Sequence, residues 1–112
     1  MDVTKLIAVG DIQVGALMLV MSLPLILRMV PMNRSYGIRI AAAYESDERW
    51  YDINFRGGRQ MAIWSWLLII AGVIGFFVSP AHFDYFAYGS LGAAVVAIGM
   101  PVLLISRSSK HG

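Results

Sequence analysis

The chain has 112 residues, of which 58% are hydrophobic and only 14% charged, and its mean hydropathy is +0.67. An average soluble domain is about 25% charged, so the composition excludes an ordinary water-soluble fold and leaves room for a single membrane domain over 1–112. The absence of cysteine rules out disulfides, thiolate metal sites and cysteine nucleophiles, and the net charge of +2 comes from basic residues flanking apolar runs, so topology and membrane lipids explain it and nucleic acid is not an expected partner.

Three apolar runs, at about 12–30, 60–78 and 85–105, each approach the ~20 residues that a helix needs to cross ~30 Å of hydrocarbon. Together they predict an all-α integral membrane protein with three transmembrane helices and a partly helical loop over 31–59. The N-terminus does not read as a secretory signal. It has one basic residue, Lys5, and the run after it exceeds an h-region. That run ends at Arg28, Met29, Val30 and Pro31 with no small-x-small cleavage site, so it reads as a retained first helix.

Asp11 and Gln13 interrupt the start of the first span. In one reading the helix tilts and carries Asp11 inside the membrane, where an ionisable group is a functional candidate. In the other, Asp11 is an interfacial acid near a helix N-terminus, where negative charge is favoured. Pro24 can kink this helix, and Pro31 suits a stop just beyond it. In the second span Trp64 and Trp66 sit at the depth of an aromatic belt, while Ala71 and Gly75 form a small-xxx-small pair. The third span repeats small residues at Gly89, Ala93 and Ala97, followed by Pro101, which predicts a flat face for close helix packing in lipid. Its partner is the second span of the same chain, another copy, or another subunit. A three-helix bundle is thin, so a homo-oligomer or a place among other membrane protein subunits is expected.

Arginine placement predicts orientation. Arg34, Arg39, Arg49, Arg56 and Arg59 lie in the long loop, and Arg107 and Lys110 follow the third span, whereas the 79–84 turn has no Lys or Arg. The positive-inside bias puts the loop and C-terminus in the cytoplasm and the N-terminus outside, as an odd span count demands.

The loop holds the distinctive side chains. Ser46 is a fair N-cap with Asp47 and Glu48 in the first turn. From there a helix can run through Trp50 and Asn54 into the second span, placing Asp47, Trp50, Asn54, Gly58 and Met61 on one face. Asn33 and Gly37 supply turn chemistry, and the turn is expected to fold against the Trp50 and Asn54 face with Arg39 held in the pocket between. Two readings stand side by side for Asn33, Tyr36, Gly37, Arg39, Trp50, Asn54 and Gly58: a self-satisfied clasp under the bundle, or a site that captures a lipid or peptide.

The pattern Asn33-x-x-Tyr36-Gly37-Ile38-Arg39, followed by Glu45 and Ser46, Trp50, Asn54 and Gly57–Gly58, resembles the SdpI-type family of small bacterial membrane proteins. Relatives usually follow Gly-Ile-Arg with Thr-Pro, where this chain has Ile40, Ala41 and Ala42. The family is named for immunity proteins that protect a cell from a secreted peptide toxin. The resemblance therefore implies a bacterial inner-membrane location, a non-enzymatic protective role and a peptide toxin as partner. No nucleophile stands with a base and an orienting acid, so no enzyme activity or cofactor is expected. His82 and Asp84, two residues apart on a short turn, read as an ordinary solvated turn and not as a metal site.

Overall fold

The computed structural model describes residues 2–111, with side chains described over 2–107, so the side chains of Lys110 and His111 lie outside the described residues. Among the described residues there are three long helices and no strand: α1 Val3–Ile26, α2 Asp47–Gly75 and α3 Phe83–His111, with 3-10 turns at Ala41–Glu45 and Pro80–His82. All three are long and apolar enough to cross a membrane. The chain is an all-α, three-span membrane protein.

Helix ends follow from local chemistry. Asp2 caps α1 by accepting from the Lys5 backbone N–H at 3.0 Å, and its other oxygen pairs with Lys5 Nζ at 3.1 Å. Residues 3–10 are therefore helical and continuous with the first apolar run, so α1 begins well ahead of the run placed at 12–30. It also stops short of Val30. Pro24 lies in its last turn, and Arg28 adopts a left-handed φ of 57°, which turns the chain away. At α2, Ser46 Oγ accepts from the Arg49 N–H at 3.0 Å, with Asp47 and Glu48 in the first turn. The loop helix and the second span form one uninterrupted rod.

The bundle measures 53 × 24 × 19 Å, and α2 packs along both other helices while α1 and α3 meet over a shorter stretch. Small residues let α1 and α2 approach closely. A Cβ added at Gly15 would stand 2.9 Å from the Ser65 carbonyl oxygen, and one at Gly72 would stand 2.6 Å from that of Ala8. At Gly75 an added Cβ would meet Phe86 and Ala8. In lipid such backbone proximity is what drives helix association, because the tails are as apolar as the side chains. The small residues of α3 divide differently. Ala97 and Pro101 are buried within the chain, Ala93 is half-buried, and Gly89 is exposed. An added Cβ at Gly89, Gly92 or Gly99 would meet nothing within 4 Å.

This arrangement gives the bundle two distinct ends. Asp2, Val3 and Thr4 lie beside Pro80 and Phe83 at one end. The connector from α1 to α2 closes the other, where Arg28, Arg34 and Arg39 of the connector join Arg49, Arg56 and Arg59 of α2.

Candidate functional site

The arginine-bearing end is organised around Trp50 and Asn54, one turn apart on the first half of α2. Trp50 is fully buried with Ala43, Ile53 and Ile105. Covering an indole removes roughly 200 Å² from water, which contributes about 5 kcal/mol as an upper figure. Its ring N–H still needs an acceptor, and finds the Val30 carbonyl at 2.8 Å. The start of the loop is thereby tied to α2. The Tyr44 ring leans on the Trp50 ring with centroids 5.4 Å apart, and its hydroxyl donates to the Asn33 carbonyl at 2.8 Å.

Asn54 is only 2% exposed and uses both ends of its amide. Its Oδ1 accepts from the Ile38 N–H at 2.6 Å, and its Nδ2 donates to the Trp50 carbonyl at 2.9 Å and more weakly to that of Ile38 at 3.4 Å. A side chain thus pairs with both backbone groups of Ile38, which has no helical partner of its own. Gly37 makes this approach possible. Its φ is 113°, and a Cβ there would lie 2.7 Å from Asn54 Oδ1 and 3.2 Å from the Trp50 ring. Gly57 yields its Cβ space to Ile38, and Gly58 yields its own to Leu25 and the Ser22 carbonyl of α1.

The turn before Gly37 is built by Asn33. Its Oδ1 accepts from the N–H groups of Ser35 and Tyr36 at 2.8 and 2.7 Å, and its Nδ2 donates to the Pro31 carbonyl at 2.8 Å. The Tyr36 hydroxyl donates to the Met21 carbonyl, fastening the turn to the last turns of α1. Asn33, Tyr36, Gly37, Trp50, Asn54 and Gly58 therefore converge. Asp47 is exposed and Met61 half-buried at the margins of the shared face. Arg39 departs from the expected position. It is exposed and donates to the Arg34 carbonyl instead of entering the pocket, because the Asn54 amide and the Ile38 side chain already fill that space. The pair Ile40–Ala41 leads into the 3-10 turn, whose Ala43 is fully buried in the Trp50 cluster.

A second polar feature lies nearer the other end. Asp11 is within α1, 9% exposed, and accepts from the Ser90 hydroxyl of α3 at 2.6 Å. The carboxyl has no cationic partner among the described residues. Ser90 also lines a cleft of about 610 Å³ between α2 and α3, walled by Ala71, Ile74, Phe77, Tyr85 and Phe86, with His82 at its rim. Phe77 and Tyr85 are 86% and 81% exposed, large aromatic surfaces left for lipid or a ligand. Among the described residues no group of three or more His, Asp or Glu side chains converges as a metal site would require.

The carbonyl partners of the clasp, Val30 and Ile38, were not singled out by sequence, since backbone acceptors leave no residue-type signal. Ser90 was given no role by sequence. Its signal was the single serine of an otherwise apolar, glycine-rich stretch 89–105, opposite a lone acid in another span.

Comparison with known families finds one match. The model described as the SdpI/YfhL protein family covers residues 28–107, which takes in the whole clasp, α2 and most of α3. No curated protein and no solved structure matches the chain.

Proposed function

Because this chain belongs to the SdpI/YfhL protein family, we propose that it is a non-enzymatic membrane protein that protects its cell against a membrane-active peptide. The observation that carries this reading is the cleft between α2 and α3 at the arginine-poor end. It is apolar and faced by Phe77, Tyr85 and Phe86, with Ser90 as a hydroxyl within reach of Asp11. A peptide inserting its apolar side chains into the membrane meets that end first if the arginines lie inside, as the positive-inside bias favours. The converging signature residues act as a clasp that sets α1 against α2. They hold the frame, and recognition occurs at the opposite end.

The test is protection itself. Removing the gene is expected to raise sensitivity to at least one member of a panel of membrane-active peptides. Restoring the wild-type chain is expected to reverse this, and a Tyr85→Ala variant at equal membrane abundance is expected not to. Unchanged sensitivity across the panel would overturn the proposal. The orientation it needs is tested separately. The chain has no cysteine, so Ser35→Cys and Glu45→Cys give unique labels, expected to resist an impermeant thiol reagent on intact cells and to react after permeabilisation.

A second reading, an accessory subunit of a larger membrane complex or a homo-oligomer, is favoured by the open face of α3. Gly89, Gly92 and Gly99 have no neighbour within 4 Å of an added Cβ, beside exposed Leu91, Val95 and Val102. Extraction in mild detergent that yields only free monomer would remove this reading.

A further inference from the structure

We propose that the cleft between α2 and α3 at the arginine-bearing end is a headgroup site for an anionic phospholipid. It encloses about 200 Å³ and is lined by Arg56, Arg59, Gln60, Leu104 and Ile105. Its polar side chains are two guanidiniums and one carboxamide, with no carboxylate. Guanidinium groups have no acceptor. Gln60 uses its carboxamide oxygen to accept from Trp64 Nε1 at 3.2 Å, which leaves its NH₂ as the end available to a ligand.

The charge balance points the same way. Asp52 pairs with Arg56 at 2.9 Å and offsets that charge. Arg59 makes no ion pair among the described residues and lies 5.9 Å from the centre of the Phe55 ring, which Arg28 also approaches at 4.8 Å. The cleft therefore keeps an uncompensated positive charge beside two further donors. A nearby cleft lined by Arg28, Glu48, Arg49 and Asp52 sets two acids against two bases and has no such surplus.

The apolar wall decides between a lipid and a free anion. Ile105 also lines a groove with Gly57, Met61, Pro101 and Val102 that is almost wholly apolar. A phosphate held by Arg59 and Gln60 would thus have a path for its acyl chain along α3. The depth fits as well. Arg59 is the last charged residue before the uncharged stretch 60–78, so it marks the level where headgroups begin. Long basic side chains at that level meet anionic headgroups.

The experiment is native mass spectrometry of the full chain released from micelles doped with equal phosphatidylglycerol and phosphatidylcholine. The wild-type chain is expected to retain phosphatidylglycerol in preference. Arg59→Gln is expected to reduce that preference about fivefold, the worth of one Lys or Arg near an anionic surface. Arg34→Gln removes the same charge from the loop and is expected to leave it unchanged. Gln60→Glu keeps the acceptor for Trp64 but turns the remaining donor into an acceptor, so it too should lower the preference, which keeps the test decisive if Arg59→Gln misfolds. The proposal is overturned by any of three results: no preference in the wild-type chain, equal losses in Arg34→Gln and Arg59→Gln, or displacement of the lipid by millimolar inorganic phosphate.

Discussion

Replacing Asn54 with alanine tests whether the clasp is a structural device. The side chain accepts from the Ile38 N–H at 2.6 Å and donates to the Trp50 carbonyl at 2.9 Å. The two losses are unequal. Trp50's carbonyl is a helical acceptor whose ladder bond survives, whereas the Ile38 N–H lies in the loop and loses the acceptor it has. An orphaned donor costs about 1–3 kcal/mol where it is buried; the Ile38 N–H is part-buried, and the 3.4 Å contact to the Ile38 carbonyl adds little at that length. The expected cost is about 2 kcal/mol, roughly a thirtyfold fall in the folded-to-unfolded ratio. The assay is SDS titration of the purified chain in mild micelles, followed by tryptophan fluorescence in a Trp64→Phe, Trp66→Phe background so that Trp50 alone reports. Asn33→Ala is the comparison, because its bonds to Ser35 and Pro31 are exposed and water can replace them. It should cost less than half as much. Equal midpoints for Asn54→Ala and the parent would refute the claim that the clasp holds the loop.

Further outcomes follow from the same geometry. Gly72→Ala should destabilise by about 1–3 kcal/mol in that titration, since the obstructing atom is the Ala8 backbone oxygen, which cannot swing aside. Gly92→Ala meets nothing within 4 Å and should be neutral or stabilising by up to about 1 kcal/mol from helix propensity. A double-mutant cycle between Asp11→Ala and Ser90→Ala should give a coupling of about 0.6–1.7 kcal/mol, the range for hydrogen bonds between helices in lipid. Asp2 gives a pH signature. The Lys5 backbone N–H, and then its ammonium, hold the Asp2 carboxyl below its ordinary 3.8. A depressed folded value means the cap contributes above the unfolded value and is lost as pH falls through the folded one. The protection of the Lys5 amide, taken relative to its intrinsic exchange rate at each pH, should therefore fall below about pH 3.8, and in Asp2→Asn that dependence should vanish.

The parts of this fold that were legible in sequence are those with a local cause. Three apolar stretches of near-bilayer length announced three helices, and Ser46 followed by Asp47 and Glu48 announced the start of α2. The convergence of Trp50 and Asn54 was legible because they are one helical turn apart. Less legible was anything set by distant segments. The Asp11–Ser90 hydrogen bond joins residues 79 apart in the chain, and neither helix's pattern specifies how the two rotate to face each other. Arg39 was misplaced because a fixed cation in a motif invites an acceptor inside the pocket. In the fold a carbonyl of its own loop, Arg34, accepts from it, and it stays at the surface. The start of α1 was obscured by Asp11, whose charge looked like a boundary, while the cap that sets the boundary lies at Asp2.

A consequence for function follows from the contrast between the two ends. At the clasp, the amides of Asn33 and Asn54, the Trp50 indole and the Tyr36 hydroxyl are all engaged within the chain, and the spaces beside Gly37 and Gly58 are filled. A ligand there would have to displace bonds that hold α1 to α2. At the other end Phe77 and Tyr85 stand exposed over an apolar cleft, where a ligand can add contacts without breaking any. Loss of protection on mutating Asn54 should therefore come with loss of stability. Loss on mutating Tyr85 should come without it, because an exposed ring contributes little to holding the bundle. If Asn54→Ala abolished protection while its unfolding midpoint stayed unchanged, recognition would have to be moved to the clasp itself.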